Sequence, residues 1–228
     1  HGIEVYSLLC AMRGQPATSC YKVAEAAAAA QKAWYGQPPP LGAVVGIDLA
    51  GDEWNFNNSE YIGCFRHAKD VLSLNTTVHA GEVARPDDIA SAVLDMRVDR
   101  IGHGYAAAGN ASLLALVRSR GVHMEACPGT ALAEGSLKAI GTFLDANVSF
   151  GLNEDDPSAF FGGCGFGCIE DVVASCKGDA LSAPARAMCT AHFLQHVHFD
   201  ATDIAAAYRS ARAAAFVTRS RVLPHPHQ

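Results

Sequence analysis

Short apolar runs alternating with helix-forming segments constrain this 228-residue chain more than any other feature. The runs Ile3–Ala11, Ala43–Leu49, Thr76–Ala80, Arg100–Gly104, Val122–Ala126 and Asn147–Leu152 read as strands. Several are nearly continuous in Val, Ile and Leu, as in parallel strands covered on both faces. Helix signals lie between them. Ala24–Trp34 is Ala-rich and stops before Pro38-Pro39-Pro40, which cannot continue a helix. Pro86-Asp87-Asp88 opens a helix running to about Met96, with Pro and acids in its first turn. Asn110 caps Leu113–Ser119, and Gly121 ends it. Repeated strand–helix units imply a parallel α/β fold, either an open sheet or a closed β/α barrel. A dinucleotide-binding sheet should carry G-x-G-x-x-G after its first strand, and this chain does not.

Polar and reactive residues follow the strands instead: Met12-Arg13, Gly51-Asp52-Glu53, Glu82, His103-Gly104, Pro128 and Asp155-Asp156. Chemistry at the carboxyl ends of many separate strands is the habit of the β/α barrel. Six strands can be counted, however, against the eight of a closed barrel. From Ser158 the pattern changes to the Gly-rich stretch Gly162–Cys168 and then helical segments, the last being Thr202–Phe216. With no internal repeat or linker, the chain reads as one domain: six β/α units over 1–158, then the Gly-rich segment and helices over 159–228.

Half the residues are hydrophobic, enough for a sizeable core, which excludes wholesale disorder. With 17 Lys+Arg against 23 Asp+Glu the formal charge is −6. That argues against nucleic acid or an anionic membrane as partner, since either needs a basic face. No apolar run reaches the roughly 20 residues that span a bilayer. The start, His1-Gly2-Ile3-Glu4, has neither a signal-type core nor an initiator Met and reads as a trimmed or incomplete end. The eight cysteines fall well short of the density of a disulfide scaffold, about 8–10%. Cys10 and Cys127 lie in apolar runs, Cys164 and Cys168 in the Gly-rich stretch. All are expected to be buried or loop thiols in a reducing cytoplasm.

Three segments carry the chemistry. In Thr77-Val78-His79-Ala80-Gly81-Glu82 a strand residue and a mouth residue supply a metal ligand and a proton donor. In Arg100-Ile101-Gly102-His103-Gly104 flanking glycines leave the His103 ring uncrowded. In Gly151-Leu152-Asn153-Glu154-Asp155-Asp156-Pro157 adjacent carboxylates end a strand, unfavourable when ionised unless a cation or donor stabilises them. A lone strand His is usually a core residue, and Asp-Asp-Pro a common turn. Together at one face they point to a metal-assisted hydrolase site.

These motifs, with Cys10-Ala11-Met12-Arg13, Asp48-Leu49-Ala50-Gly51-Asp52-Glu53 and Glu125-Ala126-Cys127-Pro128, resemble the carboxyl-terminal two-thirds of an adenosine deaminase. The resemblance runs in order from residue 1 to about 160. It implies a Zn2+ enzyme of purine salvage that turns adenosine, a small-molecule nucleoside, into inosine and ammonia. By position it implies that His79 and Asp155 are zinc ligands and that Glu82 is the general acid at the purine N1. His103 would take the proton from the attacking water, Asp156 would bind N7, and the Gly51 N–H would reach N3.

Departures from the family pattern accompany it. The family's first strand carries a His-x-His pair with two further ligands, and none precedes His79 here. His196-Val197-His198 and His225-Pro226-His227 lie far downstream, where capping or surface roles are expected. The six strands correspond to the family's third to eighth, so an incomplete barrel is expected. Gly129–Gly135 replaces a Ser/Thr-Asn stretch, and Glu154 stands where a small Thr is usual. A related deaminase acting on adenine or N6-methyl-AMP, or a non-catalytic remnant, is the alternative reading.

Overall fold

The computed structural model of the protein describes residues 5–34, 37–83, 85–153, 155 and 201–216. Within them six strands form one parallel sheet in sequence order: β1 (Ser7–Met12), β2 (Val44–Ala50), β3 (Asn75–Ala80), β4 (Arg100–His103), β5 (His123–Ala126) and β6 (Phe150–Leu152). The intervening helices are α1 (Ala17–Lys32), α2 (Ile62–Asp70), α3 (Pro86–Ser91), α4 (Ala111–Arg120), α5 (Pro128–Ala133) and α6 (Leu137–Asp145). A last helix, α7 (Ala201–Ala214), packs on β6. An unbroken 1-2-3-4-5-6 order, with a crossover after every strand, is the connectivity of a β/α barrel. With six strands it is an incomplete barrel.

Strand alternation sorts the side chains into two sets. Ile47, Leu49, Val78, Ile101 and Met124 are fully buried in the main apolar core. They share it with Phe65 of α2, Ile89 of α3, Val117 of α4 and Ile140 and Phe143 of α6. Each such side chain contributes about 1.5–3 kcal/mol by leaving water. The residues between them, Asp48, Thr77, His79 and Glu125, face the opposite side of the sheet. There the register sets His79 beside Gly102, Gly102 beside Glu125, and Glu125 beside Gly151. Large side chains therefore alternate with glycines across the interior.

The expected strands all appear, with ends shifted by up to four residues; Ile3 and Glu4 lie outside the described residues. Helix α1 begins earlier than its Ala-rich core suggests, at Ala17 behind Pro16. Asn110 caps α4 as expected, accepting from the Leu113 N–H at 3.0 Å, and Gly121 ends it in a left-handed conformation. Helix α3 passes into a π-helical turn at Ala92–Met96, which no residue pattern announced. Helices α2, α5 and α6 fill inter-strand segments for which the sequence sets no bounds.

One expectation is overturned. Cys20 of α1 and Cys64 of α2, both buried, form a disulfide with Cα atoms 6.1 Å apart, so they are not free thiols. Helix α1 covers β1 and β2, helix α2 packs on β3 and beside α1, and that packing brings together cysteines 44 residues apart. Neither Cys10 nor Cys127 is in a disulfide; Cys127 is buried as expected, whereas Cys10 is exposed on β1. Among the described residues no helix is long and apolar enough to cross a membrane.

Candidate active site

Four of the expected site residues converge at the carboxyl ends of the strands. His79 is the next-to-last residue of β3, His103 ends β4, Glu82 follows β3 and Asp155 follows β6. One ligand atom from each of His79, His103 and Asp155 lies within 4.8 Å of the other two. The two imidazole rings are centred 5.1 Å apart. His103 Nε2 stands 3.6 Å from Glu82 Oε1 and 3.8 Å from Asp155 Oδ2.

Backbone geometry explains how His103 joins the group. Regular alternation from Gly102 would send it to the helix side with Ile101. Instead His103 has φ +63°, a region costly for a residue with a Cβ, and its buried ring turns back toward His79. Gly102 supplies the space, because a Cβ there would lie 3.2–3.3 Å from three atoms of the His79 ring.

Hydrogen bonds assign the working face of each ring. Asp48 accepts from His79 Nδ1, with its two oxygens at 3.2 and 3.3 Å, which leaves Nε2 as the nitrogen available to a cation once its proton is lost. Tyr105 Oη donates to the Cys127 carbonyl at 3.0 Å and accepts from the Cys127 N–H at 2.8 Å. Its remaining lone pair faces His103 Nδ1 at 3.5 Å, so Nδ1 carries the proton and Nε2 turns its lone pair to the cleft. Burial lowers the His103 pKa, and the neighbouring His79 charge lowers it further, to about 4. Burial pushes His79 down too, but the Asp48 hydrogen bond and charge outweigh it and lift His79 to about 9. Burial raises Glu82, and Glu134, Glu53 and Asp155 add like charge, taking it to about 7.

Buried charges hold the His79–Glu82 segment from both sides. Arg13, 5% exposed, donates through Nη2 to the His79 carbonyl at 2.6 Å and to Asn58 Oδ1 at 2.8 Å. Glu53, 3% exposed, accepts the Gly81 and Glu82 N–H groups on Oε2 at 2.9 and 3.3 Å. Asp155 is held by Thr130, which donates to its Oδ2 at 2.6 Å. Arg13, Asp48 and Glu53 stand in the sequence motifs and Thr130 in the Gly129–Gly135 stretch, but none of the four has an expected role there. Asp48 carried a readable signal, as the single charge inside the apolar run Val44–Ala50.

Gly51 sits just past β2 at φ +106° and exposed, not among the four converging side chains. Asp156, Glu154, His196, His198, His225, His227 and the Gly162–Cys168 segment lie outside the described residues.

The donor set of two imidazoles and a carboxylate suits a borderline divalent ion such as zinc. A parallel barrel with such a cluster at its strand ends is a scaffold for metal-assisted hydrolysis. The sequence profile of the family "Adenosine deaminase" matches residues 1–164. The chain is similar to the adenosine deaminase of Bos taurus, 36% identical over 166 residues, covering 70% of this chain and 43% of that protein. It is similar to that of Shigella boydii, 34% identical over 119 residues, covering 50% of this chain and 35% of that protein. Among solved structures it resembles the adenine deaminase of Arthrobacter aurescens, with TM-score 0.67, 19% identity, and coverage of 94% of this chain and 58% of that one. It also resembles Arabidopsis ADAL complexed with IMP, with TM-score 0.64, 22% identity, and coverage of 92% and 53%. The chain belongs to the adenosine deaminase family. It spans less than half the length of these curated relatives.

Proposed function

We propose that this chain forms part of a single catalytic domain that deaminates adenosine to inosine and ammonia with zinc. One observation carries the reading: His79, His103 and Asp155 gather ligand atoms within 4.8 Å, with Glu82 3.6 Å from His103. The curated relatives named adenosine deaminase support the nucleoside as substrate.

His79 and Asp155 would hold the zinc, with His103 beside them. Zinc, when bound, lowers the pKa of a water to roughly 7 and so supplies a nucleophile at neutral pH. The chain's own groups then move the protons. Glu82, with a pKa near neutrality, keeps a carboxylic acid that donates to N1 and makes C6 electrophilic. The His103 Nε2 lone pair accepts the proton given up by the attacking water. Addition of water at C6 and departure of ammonia balance the reaction as adenosine plus water to inosine plus ammonia. Asp156 and the Gly51 N–H fix the base through N7 and N3.

The test uses the full-length protein containing this chain. Zinc is measured by elemental analysis, and adenosine, adenine and N6-methyl-AMP are compared by absorbance and ammonia release. Zinc at about one per chain, with adenosine the best substrate by kcat/KM, supports the reading. Zinc content unchanged in His79→Ala would remove the ligand assignment. Faster turnover of another substrate would replace the nucleoside reading.

A further inference from the structure

Three exposed asparagines share a sequence context that the chemistry above leaves unexplained. Asn57-Asn58-Ser59, Asn110-Ala111-Ser112 and Asn147-Val148-Ser149 each have the form N-x-S with x other than proline. A fourth triplet, Asn75-Thr76-Thr77, has the same form. The chain has 7 asparagines and 22 serines and threonines among 228 residues, a composition that gives fewer than one such triplet by chance. Four are present.

Their placement separates them. Asn57 is exposed in the loop between β2 and α2, Asn110 at the start of α4, and Asn147 in the turn between α6 and β6. Asn57 Oδ1 accepts from the Ser59 N–H at 2.9 Å and Oγ–H at 2.5 Å, and Asn110 Oδ1 accepts from the Leu113 N–H. Both use the side-chain oxygen, so a substituent on Nδ2 leaves these bonds intact. Asn147 projects from a turn at φ +53°. Asn75 differs: it lies within β3 and donates its Nδ2–H to the Val45 carbonyl at 2.9 Å, a bond that a sugar on that nitrogen would break.

A second observation points to the same setting. The Cys20–Cys64 disulfide is buried between α1 and α2, and structural disulfides form and persist in oxidising compartments. The enzymes that modify N-x-S/T asparagines work on chains entering such a compartment. We propose that Asn57, Asn110 and Asn147 carry N-linked glycans, added in the oxidising secretory compartment where Cys20 and Cys64 are joined. In the transfer, asparagine Nδ2 bonds to C1 of a lipid-pyrophosphate-linked oligosaccharide. The C1–O bond to the pyrophosphate breaks, and the amide proton leaves as the lipid pyrophosphate departs. The two thiols pass two electrons and two protons to a disulfide-bearing oxidant, which is itself reduced to two thiols.

The experiment takes the full-length protein from its own source cells, with thiols alkylated at lysis. Peptide-N-glycosidase in heavy-oxygen water, followed by mass spectrometry of the peptides, marks each released site as labelled aspartate. The expected result is label at Asn57, Asn110 and Asn147, none at Asn75, and Cys20 and Cys64 peptides linked until reduced. Unlabelled asparagines at all three positions overturn the glycan assignment whatever the cysteines do. Alkylated Cys20 and Cys64 overturn the compartment. In a secreting host, Asn57→Gln, Asn110→Gln and Asn147→Gln should each remove one glycan step on a gel; a variant that removes none eliminates its site.

Discussion

The two ends of the strands treat charge in opposite ways. Toward the amino ends charges are paired: Arg100, the first residue of β4, meets with its Nε the Oε1 of Glu125 from the row of His79 at 2.6 Å, Thr77 also donates to Glu125, and Asp99 accepts from Lys69 and from the Thr76 N–H. His123 is engaged through Nδ1 with Ser149, which contacts Ser210 of α7 at 2.7 Å. At the carboxyl ends like charges are gathered instead. Glu82, Asp155, Glu53 and Glu134 influence one another, and two imidazoles stand side by side. Pairing charge stabilises a fold, whereas crowding it holds protonation states near neutrality where proton transfer needs them. The contrast explains why two buried histidines with the same depressed pKa of about 4 have different work: His123 closes a polar chain, and His103 aims a free lone pair into a cleft.

The sharpest way to break the contrast is at Glu82. Glu82→Gln removes the acid and keeps the shape, so kcat/KM for adenosine should fall by roughly 10²–10⁴ with zinc content and stability unchanged. Equal loss of zinc would make Glu82 a ligand rather than an acid. The counterpart at the other end is Arg100→Ala, which leaves Glu125 buried without its partner and strips the guanidinium from the Phe216 ring, 3.7 Å away. Unfolding by denaturant should show a loss of about 3 kcal/mol, with the activity per folded molecule preserved. An inactive but fully stable variant would reverse the roles of the two ends.

How much of this was legible follows from the range of each interaction. The strands were readable because burial on both faces demands continuous Val, Ile and Leu. The site residues were readable because His79, Glu82, His103 and Asp155 each end or follow such a run. The bounds of helix α2 were not readable because Gly63 and a polar lead-in blur its start; a Cβ at Gly63 would stand 2.8 Å from the Tyr21 hydroxyl of α1. The Cys20–Cys64 bridge depends on how two helices pack, and spacing alone does not encode that. The turn of His103 inward rests on one positive φ, and Thr130 meets Asp155 across 25 residues. Such contacts exist only once the chain is folded.

A smaller effect separates the two low-pKa histidines by pH. Above about pH 6.5 His123 is neutral whether folded or unfolded, and its contribution is fully present. As pH falls, the unfolded chain takes up the proton first, while the buried ring resists to about 4, so stability is lost across that window. The loss amounts to at most about 3 kcal/mol. Denaturant titrations at neutral pH and at the acid end of the window should show a flatter decline for His123→Asn than for the parent. Identical declines would mean that His123 is protonated in the fold.

The finest comparison lies within the carboxyl end, between groups that react and groups that hold them. Glu53 reaches the reacting segment only through the Gly81 and Glu82 N–H groups, and its other oxygen is buried with no partner among the described residues. In Glu53→Gln the amide oxygen can still accept both bonds. An NH2 group then takes the place of the second oxygen, and Arg13 loses a facing charge. The backbone clamp survives while the field around Glu82 weakens, so kcat should fall by about tenfold with KM and zinc content unchanged. Glu53→Ala removes the clamp itself and should lower kcat further. A Glu53→Gln protein with parental kcat would show that the charge on Glu53 is inert and that its two hydrogen bonds alone position Glu82.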